Sequence, residues 1–297
     1  MPEDGGRFPR LKDLYIYYVD GRAGTGEEIA GPHFMGNWEE EDVSFLFFSA
    51  PSRALVDDFI EARPDLSLID EYRMPYEQWH GEAPSRFRAG SLWFVPARFQ
   101  DFRPQEPSAG HGPFPPVSSE PVLPDPILMD PGVVFGAGNH ATTRDCVAAL
   151  EFVFRRGPVK TVLDMGTGSG ILSLAARRLG RVRVLALDLN FLAAATARDN
   201  IRLNHMEDRV LAVKGNALDF TDFPFDLVVA NIHHDVMKDM MTPEFFSNKS
   251  YVILSGLLKS QGRDIVQRLE GLPAKVEKRW SRDGVWHTFL TSPKKTD

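Results

Sequence analysis

The residues with the clearest chemical meaning run from Asp164 to Gly170, Asp-Met-Gly-Thr-Gly-Ser-Gly, behind the apolar stretch Thr161-Val162-Leu163 and ahead of a helical pattern. A buried strand that opens through a glycine-rich turn into a helix N-terminus offers unpaired backbone N–H groups and the positive end of the helix dipole. Its glycines (Gly166, Gly168 and Gly170) let the backbone approach a ligand closely. The ligand group favoured there is negative, such as a carboxylate. Asp164, just before the turn, suits an amino group, directly or through water. Asp188 ends the next strand 22 residues beyond Gly166, placed for bidentate hydrogen bonds to ribose hydroxyls. A cofactor carrying an amino group, a carboxylate and a ribose fits this set, and S-adenosyl-L-methionine is such a molecule.

The rival reading is a dinucleotide fingerprint, G-x-G-x-x-G. Here the glycines fall as G-x-G-x-G, and Ile171 stands where the third glycine belongs. A glycine turn with no ligand is the bland alternative. The agreement of strand, turn, helix and distal acid favours S-adenosyl-L-methionine over both.

Two further elements flank this core. Asn231 closes the apolar run Phe225–Ala230, at a strand end beside the crevice where ligands bind in open α/β sheets. Asn216, after another strand-like run, is a candidate to border the adenine or an ordinary loop residue. The segment Asp130–Arg144 is a polar, glycine-rich loop containing His140, and it ends where a helix should begin, with Thr142 or Thr143 as the N-cap. The pair His233-His234 is poor for chelation because neighbouring helical residues point about 100° apart. No histidine has metal-ligand spacing, so no metal is expected.

The elements that must hold these residues are periodic. Strand-like runs fall at 161–164, 182–188, 210–214, 225–231, 251–254, 276–280 and 285–291, with helical segments at 170–179, 191–203 and 261–269. Strands alternating with helices predict an α/β fold, a doubly wound and mostly parallel sheet covered on both faces. The last two runs, joined by Ser281–Gly284, read as an antiparallel hairpin. Upstream, runs at 14–19 and 43–48 and a helical face at 54–62 suggest a small α+β module over residues 1–72. Residues 73–126 connect the two, with a plausible buried strand at 91–96. From Asp101 to Pro126 there are eight prolines, which exclude a helix or a central strand and indicate a linker or insertion. Residues 127–297 form the cofactor-binding domain.

Composition excludes more than it selects. The 297 residues are 43% hydrophobic and 25% charged, with a net charge of −7, so no overall basic bias points to direct nucleic-acid binding. The single cysteine, Cys146, excludes an intrachain disulfide. No apolar run spans a membrane and the amino terminus is acidic and polar, so a cytoplasmic address is expected.

The loop Phe135-Gly136-Ala137-Gly138-Asn139-His140-Ala141-Thr142-Thr143 resembles the F-G-T-G-T-H-P-T-T signature of the ribosomal protein L11 methyltransferase family, PrmA. Val229-Ala230-Asn231-Ile232 is similar to that family's V-A-N-I, and Leu254–Gln261 to its L-S-G-I-L-x-x-Q. The resemblance implies a seven-stranded Rossmann-like methyltransferase domain, with cofactor contacts from Thr143, Gly166, Asp188 and Asn231. It also implies trimethylation of lysine side chains and an N-terminal amine of a ribosomal protein, held by a ferredoxin-like N-terminal module on a mobile linker. Ala137, Asn139 and Ala141 depart from the signature, and no helix is evident between Val19 and Val43.

On this reading an amine attacks the sulfonium methyl in line, after losing a proton that it holds in water up to a pH of about 10.4. An apolar channel lowers that value, so no strong base is required. Phe135, His140, Thr142, Asn231 and His233 are the candidates to line the channel, with His140, Thr142 and Asn231 positioning the acceptor. The sequence Ile-His-His after Asn231 lacks the proline and tyrosine of amide- and base-modifying N-P-P-Y enzymes. A small-molecule methyltransferase and a non-catalytic binder of the cofactor are the alternatives.

Overall fold

The computed structural model describes residues 12–24, 29, 31–40, 42–79, 85–97, 125–134, 140–282 and 284–294. The Pro-rich stretch is outside them apart from Asp125 and Pro126, as are Phe135–Asn139 of the glycine-rich loop.

A seven-stranded sheet carries the second half. In chain order its strands are β8 (Thr161–Met165), β9 (Arg183–Asp188), β10 (Val210–Lys214), β11 (Phe225–Asn231), β12 (Lys249–Leu258), β13 (Ala274–Arg282) and β14 (Trp286–Pro293). Their spatial order is β10-β9-β8-β11-β12-β14-β13. The pairs from β10 to β12 are parallel, whereas β14 is antiparallel to both β12 and β13. The expected doubly wound α/β sheet with a terminal hairpin is therefore present.

Alternate strand residues serve the two faces, as the period of two requires. Val162, Leu227 and Val229 pack with Cys146, Leu150 and Val153 of α3 (Ala141–Arg156) and with Leu174 and Ala175 of α4 (Ile171–Leu179). Leu163, Val228 and Ala230 pack with α6 (His234–Met240), α7 (Pro243–Ser247) and α8 (Lys259–Glu270) on the other side. Burial pushes the Cys146 thiol up to about 12, so the cysteine is an inert core residue.

The hairpin is pinned near its base by Glu277, which accepts from Ser292 Oγ at 2.6 Å and pairs with Lys275 and Arg156. Those partners pull its carboxyl down to about 2 from an ordinary 4.5, the serine hydrogen bond contributing most. A lowered carboxylate value means stability that is fully present above pH 4.5 and lost as pH falls toward 2. Glu277→Gln should therefore melt below wild type at pH 7, and the gap should narrow between pH 4.5 and 3. A gap independent of pH would show that the charge contributes nothing.

A second sheet, of order β2-β3-β1-β4, is built from β1 (Asp13–Asp20), β2 (Phe34–Glu40), β3 (Val43–Phe48) and β4 (Ser67–Pro75), with α1 (Arg53–Glu61) on one face. All of its pairings are antiparallel. This is the strand order of a ferredoxin-like sheet, but among the described residues no helix joins β1 to β2. Residues 21–33 contain four glycines and Pro32, a composition hostile to helix. The strand β2 was not foreseen from the sequence.

The face opposite α1 has another cover. Leu14, Ile16, Met35 and Phe47 form one core cluster with Val133, Val134, Leu192 and Ala193. Leu192 and Ala193 belong to α5 (Phe191–Leu203), so the helix that follows β9 closes the small sheet. Gly36 makes the approach possible: a Cβ there would lie 2.9 Å from Leu192 Cβ. After β4 the chain forms the short helix α2 (Tyr76–Trp79), where the Tyr76 hydroxyl donates to Gly132 O at 2.7 Å and Trp79 Nε1 to Val133 O at 3.0 Å.

A small three-stranded sheet lies between. It pairs β5 (Phe87–Ala89) and β6 (Leu92–Pro96) as a hairpin, with β7 (Ile127–Met129) parallel to β6.

Candidate active site

Strand β8 delivers Asp164 into the core, 1% exposed, at the lip of the glycine turn. Its Oδ2 accepts from Thr167 Oγ1 at 2.7 Å and from Ser173 Oγ at 2.6 Å. Its Oδ1 is buried and has no partner among the described residues. Burial raises the carboxyl against the lowering effect of the two hydroxyls. A buried carboxylate oriented by two donors, with one oxygen open, is an incomplete arrangement that a ligand N–H group would complete.

All three glycines of the turn have positive φ. At Gly168 (φ +55°) nothing stands within 4 Å of a would-be Cβ, so the turn presents bare backbone to open space. Gly166 is crowded instead, since its Cβ would lie 2.3 Å from Ile232 Cγ2. The turn is thereby held against the residue that follows Asn231.

Asp188, at the end of β9, is preset by two backbone amides. Gly168 N donates to Oδ2 and Asn190 N to Oδ1, each at 2.9 Å. Burial raises its carboxyl too, opposed by these two N–H groups. Each carboxylate oxygen keeps a second lone pair for a ligand hydroxyl. Asn190 in turn caps α5 through Oδ1, donating partners being Leu192 N and Ala193 N, and its Nδ2 donates to Asn37 O in β2 at 3.1 Å.

On the acceptor side, three expected residues form one chain. Asn231 Nδ2 donates to Thr142 Oγ1 at 3.3 Å, and that hydroxyl lies 2.8 Å from His140 Nδ1. The backbone N–H of Thr142 also points at Nδ1, at 3.4 Å. Amide N–H groups only donate, so Nδ1 is the acceptor in this cap. His140 is the N-cap of α3. This corrects the expectation that Thr142 or Thr143 would cap: both lie in the first turn of the helix and are buried, because the helix starts earlier, at Ala141, with the His140 imidazole accepting from Thr142 N.

The other expected residues make local bonds of their own. Asn216 caps a single 3-10 turn, its Oδ1 accepting from Leu218 N at 3.1 Å. His233 is exposed and caps α6 through Asp235 N, while His234 Nε2 meets Asp264 Oδ2 at 2.9 Å and ties α6 to α8. Phe135 is outside the described residues.

Sequence reasoning missed four contributors. Ser173 and Thr167 orient Asp164, and Asn190 sets Asp188. Asn190 was legible as an N-cap before a helical run, whereas no local pattern marks the two hydroxyls. The fourth, Trp286 of β14, places its ring against His140 with centroids 4.8 Å apart and planes at 78°. Its partner in sequence is 146 residues away (286 − 140), beyond any periodicity.

The sequence profile described as ribosomal protein L11 methyltransferase (PrmA) matches residues 114–293, more than half of the chain. The chain belongs to this family. It is 37% identical over 164 residues to a protein of Desulforamulus reducens named ribosomal protein L11 methyltransferase, covering 54% of this chain and 52% of that one. A protein of the same name from Rhodopseudomonas palustris is 39% identical over 146 residues, covering 47% and 50%. The chain thus spans about half the length of the curated relatives it matches. The crystal structure of a ribosomal protein L11 methylase from Lactobacillus delbrueckii subsp. bulgaricus superimposes with a TM-score of 0.54 at 28% identity, covering 71% of this chain and 99% of that one. Among the described residues no helix is long and apolar enough to cross a membrane.

Proposed function

We propose that this chain transfers methyl groups from S-adenosyl-L-methionine to amines of a ribosomal protein, a lysine side chain or an N-terminal amine. The observation that carries the reading is the convergence of two pre-oriented acids, Asp164 buried and Asp188 partly buried, and the His140–Thr142–Asn231 chain on the ends of β8, β9 and β11. In an open α/β sheet this is the ligand-binding edge.

The residues fit the cofactor. Asp164 Oδ1 would hold its ammonium group, the turn at Gly166, Gly168 and Gly170 its carboxylate, and Asp188 its ribose hydroxyls. Thr143 and the residues about Asn216 would border it. When bound, the cofactor supplies an electrophilic methyl on a sulfonium centre.

The acceptor amine would be aimed by Asn231. Its Nδ2 is committed to Thr142, which fixes the rotamer and leaves the carbonyl Oδ1 to accept from the amine. Gly256 stands beside that oxygen, where a Cβ would come within 2.9 Å of it. His140 Nδ1 is taken up by Thr142, so this nitrogen is not free to serve as a base. The amine would therefore lose its proton on leaving water for the apolar crevice, and catalysis would rest on positioning and desolvation. The four-stranded sheet is the part of the chain we assign to protein recognition.

The test is transfer of labelled methyl to purified ribosomal protein L11 by wild type and by Asn231→Ala. Wild type should label the protein. The variant should be slower by about a hundredfold or more, a loss of aim rather than of cofactor. Label appearing only on small amines would overturn the protein acceptor.

A further inference from the structure

The first two turns of α3 and the tip of the β13–β14 hairpin are joined twice. One joint is the ring contact between His140 and Trp286. The other is an ion pair: Arg282 Nε donates to Asp145 Oδ1 at 2.8 Å. Asp145 lies three residues beyond Thr142, so the two share one face of the helix. Arg282 is the strand partner of Trp286, and Trp286 also pairs with Leu258 of β12. A tether on Arg282 thus acts on the backbone that carries the tryptophan.

Asp145 is a costly residue for its place. It is 2% exposed, and its Oδ2 is buried with no partner among the described residues. Burial raises its carboxyl, with Arg282 opposing. The Arg282 side chain is half exposed, and an ion pair that reaches solvent adds little net stability, so an apolar residue at 145 would serve packing as well. An isolated carboxylate satisfied on one oxygen only is therefore poorly explained by packing. It is well explained by what it holds.

We infer that Asp145 is a positioning residue, whose bond to Arg282 keeps the hairpin tip seated on α3 and Trp286 across the acceptor side of the site. This rests on the methyl-transfer reading. The inference assigns to the pair the aim of the acceptor, and to Asp188 and the glycine turn the hold on the cofactor.

Two variants separate this from a general structural role: Asp145→Leu, which replaces the carboxylate with an apolar side chain of the same branching, and Arg282→Met, which keeps the aliphatic stem. Hydrogen exchange, read without any acceptor, should quicken at Trp280–Arg282 and Trp286–Thr288 and nowhere else. Affinity for S-adenosyl-L-methionine should stay within about twofold for both variants, the thermal midpoint of Asp145→Leu should not fall, and kcat for the protein acceptor should drop about tenfold. The double variant should be no worse than either single one, as for two partners in one interaction. Unchanged exchange at the tip, or exchange raised throughout the chain, would overturn the inference. Wild type that fails to bind the cofactor would instead sink the underlying function, while the exchange result would still report on the tether.

Discussion

Asp188→Ala should weaken S-adenosyl-L-methionine binding about a hundredfold in a calorimetric titration. The carboxylate would receive two ribose hydroxyls, and hydrogen bonds to a charged group contribute about 1.5–3 kcal/mol each. At the low end of that range their joint loss is about 3 kcal/mol, and a hundredfold is about 2.7 kcal/mol. The same substitution deprives Gly168 N and Asn190 N of their acceptor, so the turn loses a support as well. Asp188→Asn keeps one carbonyl oxygen and should fall between the two. A folded Asp188→Ala protein binding as tightly as wild type would place the cofactor elsewhere. Failure of wild type to bind would return the dinucleotide reading to consideration.

The second large effect is structural. Gly36→Val should lower the stability of the whole chain by about 3 kcal/mol. The position has φ +148°, which side-chain-bearing residues rarely adopt, and its Cβ would meet Leu192 at 2.9 Å. Strain of this backbone type and overpacking each cost about 1–3 kcal/mol. In a chain of this size the melting midpoint should fall by roughly 5–10 °C. Adding Leu192→Ala should recover part of the loss, since it removes the colliding atoms and the two sites share one contact. If the double variant is instead the sum of the two singles, β2 and α5 do not press on each other in solution.

How much of this was legible in the sequence follows the range of the interactions. The strands from Thr161 to Asn231 and their helices announce themselves by local apolar periodicity, and the glycine turn and Asp188 by spacing. The hairpin showed in its turn residues. What stayed hidden depends on distant partners. Phe34–Glu40 has no strand-like alternation of its own, and becomes β2 because β3 pairs with one edge and α5 covers one face. Asp145 looks like a helix-surface acid until Arg282 arrives from the other end of the chain. The threonines were taken for caps because hydroxyls are the commoner choice, and the local competition was won by His140.

The way the four-stranded sheet is closed also bears on how the protein is made. A module with both of its own helices could complete its core as soon as it left the ribosome, in the usual order from the amino end. Here the apolar face formed by Leu14, Ile16 and Phe47 is covered in part by Tyr76 and Trp79 of α2, and the rest of its cover comes from Val133, Val134, Leu192 and Ala193. More than a hundred residues separate Pro75, the end of β4, from Leu192, which is roughly ten seconds of synthesis at 5–20 residues per second. During that interval the nascent sheet carries a sticky face into the cell, and the last step in finishing the first-made part of the molecule belongs to a helix made much later.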